Sequence, residues 1–101
     1  MRFKLSSYAQ DFLLGLEDET YHKVQEKLKD LEDFNQAHLL KAGRIKKISD
    51  GIYEVKISCY RFLGEINGEE FHIVHAFHKK SNKLPLKEIS TTRNRINKLQ
   101  L

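Results

Sequence analysis

Residues 71–85 read FHIVHAFHKKSNKLP, an apolar run that turns abruptly basic. From Phe71 to Phe77 both alternating sets of positions carry apolar residues. A strand apolar on both faces belongs in the interior of a sheet. Lys79, Lys80 and Lys83 follow at once, so the end of that strand delivers a cationic cluster, and Pro85 begins a new element. Positive charge fixed at the end of a rigid sheet is suited to a polyanionic ligand such as a phosphodiester.

Working upstream, Asn67-Gly68 is a hairpin signal, and so is Asp50-Gly51, because both central positions of a type I′ turn need positive φ. Between them two strands are expected. In Ile52–Ser58, Tyr53, Val55 and Ile57 face one way and Glu54 and Lys56 the other. After a tight turn near Cys59, Tyr60, Phe62 and Ile66 share a face, opposite Arg61, Leu63 and Glu65. Arg44–Ser49 is a basic strand candidate, and Arg2-Phe3-Lys4-Leu5 alternates as a half-buried strand does. Downstream, Pro85 fits the first turn of a helix running to about Leu99, with Leu86, Ile89, Ile96 and Leu99 as its buried side.

The N-terminal region reads as helix. Ser7-Tyr8-Ala9-Gln10 has the form of a capping box, which starts a helix at about Ser7. Tyr21, Val24, Leu28, Leu31 and Phe34 recur every three or four residues and predict a long amphipathic helix over about 18–35, with Asp18 and Glu19 at its positive end. Asn35 to Gly43 reads as a connection. The expected fold is α+β and occupies residues 1–101 as one domain. Two N-terminal helices pack on a four-stranded, mainly antiparallel sheet, and a C-terminal helix follows.

The formal charge is +4 across 101 residues, distributed unevenly: residues 1–43 sum to −2 and residues 44–101 to +6. A basic half on a small domain points to a polyanionic partner or an anionic transition state. Cys59 is the sole cysteine, which rules out an intrachain disulfide and points to a reducing compartment. No signal peptide is visible, and no apolar run approaches the ~20 residues of a membrane span. The expected location is cytoplasmic, away from any membrane.

His72, His75 and His78 recur at intervals of three. On a strand, alternation sets His75 against the other two, so one ion could not collect all three, and no metal or other cofactor is expected. His78, beside the lysines at the strand end, is a candidate acid–base group because histidine titrates near neutral pH. Lys56 and Arg61 lie on the polar faces of adjacent strands, either side of a tight turn. With Lys79 and Lys80 they are expected to surround one phosphate-sized basin. Cleavage of RNA by its own 2′-hydroxyl needs deprotonation of that hydroxyl, charge neutralisation at phosphorus, and a proton for the leaving 5′-oxygen. Preorganised cations supply the second, and a lysine desolvated among cations can serve the first or third.

The order Gly51-Ile52-Tyr53-Glu54-Val55-Lys56, Tyr60-Arg61-Phe62, Phe77-His78-Lys79-Lys80-Ser81, Pro85 and Glu88-Ile89 resembles the phage-derived, HigB-like branch of the RelE/ParE toxin superfamily. The match covers residues 44–96, and the N-terminal helix pair agrees in pattern. The resemblance implies a RelE-type fold and the toxin of a type II toxin–antitoxin pair, which cuts mRNA in the ribosomal decoding site without metal. Its cationic catalytic residues fall by motif on Lys56 and Arg61, and on Lys79 or Lys80. Lys46, Lys47, Lys83, Arg93 and Arg95 are the expected contacts to RNA backbone. The implied partners are the ribosome, mRNA and a cognate antitoxin of the helix-turn-helix DNA-binding kind. Two other readings share the scaffold: a ParE-like toxin that inhibits gyrase, and an inactive or regulatory prophage domain. The sequence departs from the pattern at Leu84, where a Thr or Ser is usual, and at Thr92, where a small alanine is usual. The base-stacking tyrosine near the C-terminus has no counterpart, since no aromatic residue follows Phe77.

Overall fold

Strand β5 (Glu70–His78) lies inside a five-stranded sheet, between β1 (Arg2–Leu5) and β4 (Tyr60–Asn67). The order continues through β3 (Ile52–Ile57) to β2 (Ile45–Ser49) at the far edge. Only β1 runs parallel to its neighbour; the other four strands form the expected antiparallel meander. The computed structural model describes residues 1–83 and 86–99. The α+β expectation holds, with five strands in place of four because β2 and β1 each claim an edge. Pro85 and Leu84 lie outside the described residues.

One face of the sheet is covered by α1 (Ser7–Leu14), α2 (Asp18–Leu31) and α3 (Gln36–Lys41). Val24, Leu28 and Leu31 of the predicted stripe are buried there against Val55, Ile57, Phe62, Phe71 and Ile73. The stripe ends earlier than expected: Phe34 falls beyond α2, stays 45 % exposed and stacks on His38. The first helix is capped by Ser6, whose Oγ accepts from the Ala9 N–H, not by Ser7; Gln10 donates instead to the Leu5 carbonyl. Residues 36–41, expected as connection, make the short helix α3 because Asn35 caps it through the His38 N–H.

The other face carries α4 (Leu86–Leu99). Ile89 and Ile96 meet Ile52, Leu63 and Val74, while the expected core positions Leu86 and Leu99 are 72 % and 59 % exposed. Contact with the sheet is therefore made by the middle of the helix. Thr92 occupies that middle fully buried, its hydroxyl satisfied by the Glu88 carbonyl one turn back. A small side chain is what the helix–sheet contact admits there.

A β-bulge in β5 sets the direction of everything after it. Gly64 pairs with Ile73 and Leu63 with His75, so Val74 is the extra residue. Gly64 has to be glycine at this point, since a Cβ would stand 1.8 Å from the His72 carbonyl oxygen. The bulge turns His75 and Phe77 toward α4 and puts His72 and His75 on one face. Strict alternation placed those two on opposite faces; that expectation is corrected, whereas His78 does oppose His75. Both hairpin glycines, Gly51 and Gly68, have positive φ, but neither Asp50 nor Asn67 does, so the turns are not type I′.

Candidate active site

At one end of the α4-facing side, Lys56, Arg61 and Phe77 stand in a row across β3, β4 and β5. The row is built on the turn Ser58-Cys59, where Ser58 holds φ of 54°, an uncommon conformation for a residue with a side chain. Arg61 keeps that turn in place. Its Nη1 donates to the carbonyls of Ser58 (2.9 Å) and Tyr60 (3.1 Å), and its Nε lies 4.0 Å from Glu54 Oε2. On the other side the Lys79 N–H donates to the Cys59 carbonyl, tying the segment after β5 to the same turn. Arg61 is consequently buried, and Lys56 beside it is exposed.

Two cavities flank the row. The first, about 230 Å³, is lined by Gly43, Arg44, Lys46, Glu54 and Lys56. The second, about 330 Å³, is lined by Phe77, His78, Lys79, Lys80, Ser81, Lys83, Lys87 and Glu88. The basin expected as one thus appears as two, with Lys56 in the first, Lys79 and Lys80 in the second, and Arg61 lining neither. Lys46 and Lys83 each line one of them. Lys47 points from the opposite face of β2, opposite Tyr53, and reaches Asp50 at 3.9 Å. His78 is exposed at the strand end, with its ring 5.3 Å from that of Tyr60.

The arginines of α4 act as fasteners. Arg93 donates to the Asp50 carbonyl and the Ser49 hydroxyl, fixing the helix to the β2–β3 hairpin. Arg95 lies 3.9 Å over the Tyr8 ring and donates from Nη1 to the Val74 carbonyl and to His75 Nδ1, at 2.9 Å. Arginine can only donate, so Nδ1 of His75 is the acceptor, and its Nε2–H donates to Glu88 Oε1 at 3.2 Å. Burial pushes the His75 pKa below 6.5, and Arg95 adds to that, while Glu88 opposes it. The result is a neutral imidazole in one tautomer, held between a cation and a carboxylate. The Val74 carbonyl that Arg95 uses is the one at the bulge.

Sequence reasoning passed over Glu88, Lys87, Arg44 and His75 as site residues, and it counted Phe77 in the apolar run of a buried strand. The pattern Phe77-x-Lys79-Lys80 followed by Glu88 was present, but only the bulge turns Phe77 into a cavity wall. Among the described residues no group of three His, Cys, Asp or Glu side chains gathers as a metal set would. Among them, too, no helix is long and apolar enough to cross a membrane.

A family model described as "Phage derived protein Gp49-like (DUF891)" matches residues 11–97. No curated protein matches the chain.

Proposed function

The chain belongs to the phage-derived Gp49-like family (DUF891), part of the RelE/ParE-like superfamily of toxin–antitoxin toxins, and from that premise we propose that it is a ribosome-dependent, metal-independent mRNA endoribonuclease. Membership implies a cognate antitoxin in general terms. That the antitoxin is a helix-turn-helix protein, that the branch is HigB-like and that the site of action is the cytoplasm belong to the proposal. The observation that carries the reading is the cationic end of the sheet. Arg44, Lys46 and Lys56 line one cavity and Lys79, Lys80, Lys83 and Lys87 the next, on either side of one cross-strand row.

In this reading the mRNA backbone lies along the row. Lys56 stabilises the pentacoordinate phosphorus or takes the 2′-hydroxyl proton. Lys79 and Lys80 bind the phosphate and assist the leaving 5′-oxygen, with His78 at the rim for proton exchange. Arg61 is committed to two carbonyls and to Glu54, and we give it a positioning role: it holds the turn from which Lys56 and Lys79 are set apart. Lys46 and Lys83 contact flanking phosphates, Lys47 reaches RNA from the hairpin edge, and Arg93 and Arg95 serve by keeping α4 in place. Fixed cations around a water-poor phosphate contribute about 10²–10³ in rate per donor in comparable sites.

The test is a purified translation reaction read by primer extension. Cuts should fall in phase with codons, require ribosomes, survive EDTA and vanish with a 2′-deoxy nucleotide at the scissile position. Gyrase inhibition with intact mRNA would point to ParE-like action. Absence of growth arrest on induction would point to an inactive prophage domain.

A further inference from the structure

Glu88 is a carboxylate in the wrong company for a surface glutamate. Its cavity presents Lys79, Lys80, Lys83 and Lys87, yet among the described residues none of these comes within ion-pair distance of it. It is held instead by the neutral imidazole of His75, which is held by Arg95, which is held by the Val74 carbonyl and the Tyr8 ring. A chain of partners that reaches from the sheet to a single half-buried carboxylate fixes the direction of that carboxylate, and it faces the cavity. Phe77 forms the adjoining wall, its ring stacked on His75 at 5.6 Å and 25°. At about 330 Å³ the space is at the small end of the ~300–1,000 Å³ typical of ligand pockets.

We propose that this cavity is a nucleobase subsite for single-stranded RNA, selective for guanine, in which the base stacks on Phe77 and its donor edge meets the Glu88 carboxylate fixed by His75 and Arg95. The inference rests on the nuclease reading for its biological setting, but its chemistry is independent of cleavage. An ionised carboxylate only accepts hydrogen bonds. Guanine alone presents two adjacent donors, N1–H and the N2 amino group, on its Watson–Crick edge. Adenine and cytosine set one amino group beside an acceptor, and uracil sets its N–H between two carbonyls. Either of the latter arrangements turns a lone pair toward the carboxylate. Stacking on an aromatic side chain is how unpaired bases are commonly gripped, and the lysines around the rim suit the flanking phosphates. Among the described residues lining this cavity, Phe77 is the one phenyl ring.

The experiment measures binding of labelled pentaribonucleotides AAXAA, 2′-O-methylated against cleavage, by fluorescence anisotropy at one ionic strength. With X as guanine, affinity should exceed that for adenine, cytosine or uracil by about tenfold, the scale of a bidentate contact. Inosine, which lacks the N2 amino group, should fall between. Glu88→Gln still accepts from His75 but now offers a donor beside an acceptor, a pattern that the Watson–Crick edge of every base can meet, so the preference for guanine should be lost. A purely structural Glu88 would leave the order of bases unchanged. The chain contains no tryptophan, so Phe77→Trp adds a single reporter whose emission should be quenched by the guanine oligonucleotide. Equal affinity for all five oligonucleotides, or an unchanged order in Glu88→Gln, overturns the subsite. Base selectivity without ribosome-dependent cutting would overturn only the nuclease, and cutting without base selectivity only the subsite.

Discussion

The two faces of the sheet are held in different ways. Against α1, α2 and α3 the centre of the contact is apolar, with Phe12 edge-on to both Tyr60 and Phe62, and Phe3 edge-on to Phe71, and polar ties such as Glu32 to the Phe3 N–H and Glu69 to the Gln36 N–H are exposed. Against α4 a small apolar patch of Ile52, Leu63, Val74, Ile89 and Ile96 is framed by directed polar contacts from Arg93, Arg95, His75 and Glu88. Apolar contact is non-directional and supplies most of the stability. Directed contacts add less net free energy each but specify where a charged group points. The division explains how one small domain keeps a dense cluster of cations together: the first face supports the fold while the second spends contacts on orientation.

Substitutions should separate the two faces by size of effect. Phe62→Ala, in the centre of the first core, should cost about 3–5 kcal/mol in denaturant unfolding. Ile96→Ala, in the patch under α4, should cost about 2 kcal/mol, at the low end for such truncations. Equal losses would mean that α4 is as much a part of the main core as α2. Between these two in size lies Arg61→Ala, expected to lose about 2–3 kcal/mol through the Ser58 and Tyr60 carbonyls and Glu54. A loss within experimental error would show that the turn needs no such tie, and would return Arg61 to the role of free phosphate ligand.

The polar contacts also predict a pH response that the apolar face does not share. Because the His75 pKa is lowered from 6.5 in the folded protein, the unfolded chain binds more protons in that range. Stability is therefore present in full above pH ~6.5 and falls as the pH drops through and below it. The protonated ring would turn an N–H toward Arg95, while Glu88 gains a charged partner, so the net loss is modest. A series of unfolding midpoints between pH 5 and 8 should show the slope in the wild type and its absence in His75→Gln. Glu70, held low chiefly by His72 and also by Lys4, acts in a separate window, below its ordinary 4.5.

Much of this was legible from residue spacing. The repeat Tyr21, Val24, Leu28, Leu31 identifies α2, and the alternation of Tyr53, Val55 and Ile57 gives the buried face of β3 correctly. Two-sided apolarity placed β5 inside the sheet. What periodicity cannot carry is a change of phase. The bulge at Val74 depends on a backbone approach at Gly64, a residue distant in sequence, and it alone brings Phe77 and His75 to the α4 side. Nor does a basic helix face disclose its partners: Arg95 reads as a solvated cation until Tyr8, Val74 and His75 come together around it. The same holds for Arg61, whose acceptors exist only once Ser58 takes positive φ.

Lys56 offers the most direct test, since it is exposed, lines the first cavity and stands next to Arg61 in the row. Lys56→Ala should change unfolding free energy by no more than about 0.5 kcal/mol, as exposed positions generally do. In the ribosome-dependent cleavage assay the same variant should lose about 10²-fold or more in rate. Wild-type cleavage by a folded Lys56→Ala protein would contradict the proposed placement of the chemistry on this end of the sheet.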